Sequence, residues 1–93
     1  MISYKVKYKK EAQKFLLRNK KVGLQFHRVF DNISKDIESV DLYNIKNLQG
    51  YENLKRLKIG SYRSIFKIDN EGQLIIVAII GPRGDIYKKI KGL

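Results

Sequence analysis

A run of seven consecutive apolar residues, Leu74 to Ile80, constrains the fold of this 93-residue chain more than any other feature. A strand with one face in water alternates apolar and polar residues, whereas a strand covered on both faces is apolar throughout. The run is also far shorter than the ~20 residues needed to cross a bilayer. It therefore predicts a central strand of a sheet, which Gly81 and Pro82 are expected to end.

The N-terminal half shows one strand pattern followed by two helical patterns. Residues 2–8 alternate apolar and polar side chains, which predicts a strand. Apolar residues then recur at steps of three and four over 10–18 and again over 22–37, which predicts two helices separated by a break near 19–23. The polar stretch 39–53 has little periodicity and is expected to be an irregular connection back to the sheet.

The C-terminal half reads as a meander of three strands. The strands are expected at 54–59, 62–69 and 73–80, with turns at Gly60-Ser61 and at 70–72. Glycine in the first central position of a two-residue loop suits a type II′ hairpin turn. The sequence thus predicts a single α+β domain over 1–93, with two N-terminal helices packed on a small antiparallel sheet.

Charge and composition narrow the function. Twenty Lys and Arg against nine Asp and Glu give a formal net charge of +11, which favours a polyanionic partner, nucleic acid above all. An AT-rich genome, which raises the Lys and Ile content of every protein, is the alternative explanation of this charge. There is no cysteine and only one histidine, so we expect neither a metal site nor a cofactor. No secretory signal is evident, and a soluble cytoplasmic protein is expected.

Alternation on the predicted hairpin separates a core face from a basic face. A turn at Gly60-Ser61 places Ile59 opposite Tyr62, Lys58 opposite Arg63 and Arg56 opposite Ile65. Side chains of a strand point alternately to its two faces, so Arg56, Lys58, Arg63 and Lys67 share one face. Like charges placed opposite each other destabilise a sheet, and a fold that accepts this repulsion is typical of a phosphate-binding surface.

The closing segment, residues 81–87, is expected to be a loop that aims side chains over the sheet face. Arg83 would join the cations there, and Tyr87 would stack on a base or transfer a proton. Asp85 is expected to pair with a neighbouring cation. His27, on a helix flank, is expected to pack or to be solvated rather than to act in catalysis.

These residues together resemble a known family. The hairpin Lys58-Ile59-Gly60-Ser61-Tyr62-Arg63-Ser64-Ile65-Phe66, the ending Pro82-Arg83-Gly84-Asp85-Ile86-Tyr87 and the preceding Leu48-Gln49-Gly50 resemble RelE/ParE toxins of prokaryotic toxin-antitoxin modules, with an ending similar to that of archaeal RelE-like proteins. The resemblance spans nearly the whole chain and implies the RelE-like microbial ribonuclease type of fold.

The resemblance also implies a function and a site. It implies a metal-independent endoribonuclease that enters the ribosome, cuts messenger RNA, inhibits translation and is held inactive by a cognate antitoxin. By motif position, the residues implied to be catalytic are Arg56, Lys58, Arg63, Arg83 and Tyr87. The reaction is attack of a ribose 2′-hydroxyl on the adjacent phosphate.

One departure from the family pattern keeps two alternatives open. Many nuclease members carry a histidine immediately before the closing arginine, where this chain has Pro82. The first alternative is a ParE-like inhibitor of DNA gyrase, which uses the same basic face to bind a protein. The second is a catalytically weakened nucleic-acid-binding protein with a RelE-like fold.

Overall fold

The computed structural model describes residues 3–90. Its elements follow in chain order: β1 Lys5–Tyr8, α1 Lys10–Arg18, α2 Lys20–Lys35, a 3-10 helix Ile37–Leu42, β2 Ile45–Asn47, β3 Lys55–Ile59, β4 Tyr62–Asp69, β5 Leu74–Pro82 and α3 Arg83–Ile90. The first strand covers 5–8 of the predicted 2–8, α1 matches the predicted 10–18, and α2 begins and ends two residues before the predicted 22–37. Ile2, the start of the predicted first strand, lies outside the described residues.

The five strands form one mixed sheet in the order β1-β5-β4-β3-β2. The β2–β3, β3–β4 and β4–β5 pairs are antiparallel, but β1 lies parallel to β5. The expectation of a purely antiparallel sheet is therefore wrong at this edge. The two helices carry the chain away from β1, so no hairpin fixes its direction, and β5 pairs with it in parallel.

One face of the sheet carries the larger core. The helices α1 and α2 pack on it, and Phe26, Phe30 and Ile33 of α2 are fully buried there. Phe30 meets Phe66 of β4 edge to face, with ring centroids 5.1 Å apart. The predicted break between the helices is a single residue, Asn19, because the helical pattern resumes at once at Lys20.

The opposite face carries a second, smaller core under α3. Ile86 and Ile90 lie four residues apart on one side of this helix and are buried against Ile65, Ala78 and Ile79. The expectation of a loop over 81–87 is therefore wrong, since β5 continues to Pro82 and α3 begins at Arg83. Both faces of β5 are covered, as its apolar run predicts.

The stretch 39–53 is more ordered than its composition suggests. It holds the end of the 3-10 helix and the three-residue strand β2, which forms the far edge of the sheet. A strand this short shows no measurable alternation, so the prediction of an irregular connection is wrong here. Among the described residues, no helix is long and apolar enough to cross a membrane.

The β3–β4 hairpin has the predicted register. Ile59 lies opposite Tyr62, Lys58 opposite Arg63 and Arg56 opposite Ile65. Gly60, the first central residue of the turn, has a φ of 58°, whereas Ser61, the second, does not have a positive φ. Positive φ at the first central position alone is the pattern of a type II′ turn. The hairpin is the frame on which the candidate site is built.

Candidate functional site

Cations of β2, β3 and β4 lie on the sheet face that also carries α3, and Lys67, predicted there, lies farther along β4 opposite Ile76. Cross-strand partners share a face, and the register pairs Lys46 with Arg56 and Lys58 with Arg63. We call these four side chains the basic face. Leu57 and Ser64 point to the opposite side and are buried beneath the helices. The separation of cations from core that alternation predicts is confirmed.

Arg63 is the most enclosed cation of the basic face. Its side chain is only 7% exposed. Its Nη1 donates to the carbonyl oxygens of Gly60 and Tyr62, each at 3.1 Å. The guanidinium therefore holds the hairpin turn, and the register sets Arg63 directly opposite Lys58.

Arg56 and Lys58 are held from the neighbouring loop. The Nη2 of Arg56 donates to Oδ1 of Asn44 at 3.0 Å, and its Nε is buried without an acceptor. Lys58 is exposed, and its backbone N–H donates to the carbonyl oxygen of Asn44 at 3.0 Å. Two of the five candidate residues thus depend on the chain just before β2.

The first turn of α3 brings the closing arginine to the hairpin. Gly81 pairs with Arg63, and the backbone N–H of Arg83 donates to the carbonyl oxygen of Ser61 at 3.2 Å. Arg83 itself is exposed. The structure therefore joins the two motifs, 58–66 and 82–87, at one end of the sheet.

Tyr87 lies one helical turn after Arg83, so the two side chains share a flank of α3. On the other flank, Lys89 reaches Glu11 of α1 at 3.6 Å. The Arg83–Tyr87 flank thus points away from α1, toward the β3 side of the sheet. Tyr87 is 47% exposed.

No ion pair neutralises the basic face within residues 3–90. The ion pairs there are Lys14–Glu11, Lys35–Asp31 and Lys89–Glu11, all elsewhere on the molecule. Asp85, which was expected to pair with a cation, lies on α3 and makes no ion pair in that part of the chain; that expectation is wrong. The cations of the basic face consequently keep their charge available to a ligand.

His27 lies on the helix side of the sheet, away from the basic face. Its Nδ1 is 3.2 Å from the hydroxyl of Tyr8. Burial, and secondarily the charge of Asp31, raises the pKa of Tyr8 to about 12. The structure thus gives His27 a packing and hydrogen-bonding position, in agreement with the expectation from the sequence.

Sequence reasoning missed two polar residues of this surface, Asn44 and Lys46. Both belong to the stretch that was expected to be irregular. Ile45, Lys46 and Asn47 are too few residues to show the alternation that would identify an edge strand. The β2–β3 pairing brings Lys46 to this surface, and the hydrogen bond to Arg56 brings Asn44 there.

Comparison with known proteins gives matches of structure only. No protein-family model matches this sequence, and no curated protein sequence matches it significantly. The chain is similar to the archaeal RelE in a RelE–RelB complex from Pyrococcus horikoshii, with a TM-score of 0.72, 25% identity, and 88% and 97% of the two chains covered.

Two further solved structures show the same similarity. A double arginine-to-alanine variant of the E. coli toxin RelE in the free state gives a TM-score of 0.74 at 16% identity, with 98% of each chain covered. The RelB–RelE antitoxin–toxin complex from Methanococcus jannaschii gives 0.61 at 23% identity, with 87% and 94% covered. Together with the strand order and the docked α3, these matches show that this chain has the RelE-like toxin fold.

Proposed function

We propose that this chain is the toxin of a toxin–antitoxin pair and that it cleaves messenger RNA on the ribosome. The observation that carries the proposal is the gathering of Arg56, Lys58 and Arg63 on one sheet face, with Arg83 docked beside their hairpin turn. Such a cluster, without carboxylate partners among residues 3–90, suits a phosphodiester. The RelE-like fold supports the assignment.

The proposed reaction needs only groups that this surface offers. The ribose 2′-oxygen attacks the adjacent phosphorus, the bond from phosphorus to the 5′-oxygen breaks, and a proton passes from the 2′-hydroxyl to the leaving oxygen. Guanidinium groups stabilise the charge that grows on the phosphate oxygens in the transition state. We assign the exposed Arg83 to contact with the phosphate, and Arg63 would add its charge from the same sheet face.

The remaining candidates take the roles of support and proton transfer. We assign stabilisation of the nucleophile to Lys58, which is exposed on β3, and to Arg56, which lies next to Lys46. Tyr87 would stack on a nucleobase or move a proton. The 2′-hydroxyl makes this chemistry specific to RNA.

The proposed partners are a cognate antitoxin, the ribosome and messenger RNA. The matched structures from Pyrococcus horikoshii and Methanococcus jannaschii are RelE proteins bound to RelB antitoxins. An acidic segment that folds on binding would neutralise the excess of positive charge on this chain. The matched structures are RelE proteins rather than gyrase inhibitors of the ParE kind, so the ParE alternative finds no support in them.

The test is a cleavage assay with purified protein, programmed ribosomes and a defined message. We expect cuts in phase with the codons and a loss of about tenfold or more for Arg83→Ala, since one charged phosphate contact is removed. The matched control is Arg28→Ala, which removes an exposed arginine from α2 on the other side of the sheet. An intact message, or equal cleavage by both variants, would overturn the proposal.

A further inference from the structure

Asn44 holds two cations of the candidate site at once. Its side-chain Oδ1 accepts from Nη2 of Arg56, and its backbone carbonyl accepts from the N–H of Lys58, both at 3.0 Å. Asn44 lies between the 3-10 helix and β2 and is itself exposed. A single residue of the connecting stretch therefore fixes the side chain of one candidate and the backbone of the other.

We infer that Asn44 is a positioning residue of the basic face and that Lys46 is a further contact for an RNA phosphate. The inference rests on the proposed function and extends its site to the edge strand β2. Neither residue belongs to the hairpin motif or to the closing motif.

The chemical character of Asn44 favours a role in ligand binding over a purely structural one. A carboxylate at this position would orient the Arg56 guanidinium equally well, but it would cancel its charge. An amide oxygen accepts the hydrogen bond and leaves the full positive charge for a phosphate. Because Nε of Arg56 is buried without an acceptor, the bond to Asn44 is the one side-chain hydrogen bond that orients this guanidinium within residues 3–90.

Lys46 completes a row of cations at the same place. It lies directly opposite Arg56, so the two Cβ atoms are about 5 Å apart, as in any antiparallel pair. It is exposed and makes no ion pair within the described residues. Two like charges held side by side on the edge strand β2 and its neighbour β3 create a positive field that a polyanion relieves.

The same strand offers a matched control of the same chemistry. Asn47 accepts from Nζ of Lys55 at 2.8 Å, again an asparagine that holds a cation of β3. This pair lies one residue along from Lys46 and Arg56 and so projects to the other face of the sheet. Asn47→Asp therefore changes the net charge as Asn44→Asp does, but away from the basic face.

The experiment measures binding and cleavage separately for Asn44→Asp, Asn44→Ala and Asn47→Asp. Binding is followed by fluorescence anisotropy of a labelled single-stranded RNA with 2′-methoxy riboses, which lacks the nucleophile, over a series of salt concentrations. Cleavage is followed on programmed ribosomes, and thermal unfolding verifies that each variant is folded.

The two Asn44 variants should affect different measurements, one the salt dependence of binding and the other the cleavage rate. Asn44→Asp keeps the acceptor but cancels a charge, so the slope of log affinity against log salt should fall by about 0.7 in magnitude. Asn44→Ala should leave that slope unchanged and lower the cleavage rate about tenfold, because Arg56 loses its orientation. Lys46→Ala should lower the slope as Asn44→Asp does, and Lys55→Ala should not.

The outcomes separate this inference from the proposed function. A wild-type protein that cuts no RNA overturns both. A wild-type protein that cuts RNA overturns the inference alone if Asn44→Asp has the salt slope of Asn47→Asp, if Asn44→Ala cuts at the wild-type rate, or if Lys46→Ala is indistinguishable from Lys55→Ala.

Discussion

Replacing Arg63 with alanine should destabilise the fold as well as impair the site, which distinguishes it from the other candidate cations. The guanidinium is 7% exposed, and its Nη1 is shared by two carbonyl oxygens of the hairpin turn. A hydrogen bond from a charged group contributes about 1.5–3 kcal/mol to stability. Relief of the repulsion between Arg63 and Lys58, which lie opposite each other, returns some tenths of a kcal/mol.

The net loss for Arg63→Ala is therefore about 1–2 kcal/mol. For a domain of this size, such a loss lowers the melting temperature by about 4–16 °C. Circular dichroism during heating measures the shift, and the ribosome assay measures cleavage below the melting temperature of each variant. Arg83→Ala, which removes an exposed arginine, should reduce cleavage with a stability change within about 0.5 kcal/mol.

The comparison of the two arginines can refute the reasoning. If Arg63→Ala has the melting temperature of the wild type, the hydrogen bonds to Gly60 and Tyr62 do not stabilise the turn. If Arg83→Ala melts as low as Arg63→Ala, the exposed arginine has a structural role that its surroundings do not show. Arg63→Lys keeps the charge but not the planar fork, so it should melt between the wild type and Arg63→Ala.

Three further changes test the frame around the site. Gly60→Ala should lower the free energy of unfolding by about 1–2 kcal/mol, because φ is 58° there. Gly84→Ala within α3 should leave it unchanged or raise it by up to about 1 kcal/mol. In thermal unfolding, Gly60→Ala should therefore melt below the wild type and Gly84→Ala at or above it. Since burial and Asp31 raise the pKa of Tyr8 to about 12, its contribution to stability is complete below its ordinary pKa of 10.0 and is lost as the pH rises toward 12. Urea unfolding of Tyr8→Phe should lack this loss. Ile86→Ala, at a position 1% exposed, should cost about 2–5 kcal/mol and lower cleavage by loosening α3, as paired melting and cleavage assays would show.

Much of the sheet could be predicted because its strands carry strong local patterns. The apolar run over 74–80 indicated a strand covered on both faces, and the structure buries β5 between the helices and α3. The hairpin register could be predicted from Gly60, because a two-residue turn at Gly60-Ser61 determines which residue of β3 lies opposite each residue of β4. The positions of Arg56, Lys58 and Arg63 on the basic face could be predicted for the same reason, because register and alternation together determine which side chains share a surface.

The parts that could not be predicted lack such local patterns. The helix α3 begins directly after Gly81 and Pro82, both of which favour a break, and only Ile86 and Ile90 mark its buried side. The parallel pairing of β1 depends on contacts with β5, which lies far along the chain. In each case tertiary packing rather than local propensity decides the structure.

The candidate site also combines features set by local sequence with features set by tertiary contacts. The positions of Arg56, Lys58 and Arg63 on one face are a property of the hairpin, so the sequence was sufficient to predict them. Their anchoring depends on groups that carry no net charge: carbonyl oxygens for Arg63 and the Asn44 amide for Arg56. Neutral acceptors orient guanidinium groups without cancelling them, and so the fold can bring cations together and still present their charge to a phosphate. Acidic partners at the same positions would stabilise the sheet by removing the like-charge repulsion, and they would remove the proposed affinity for RNA in the same step.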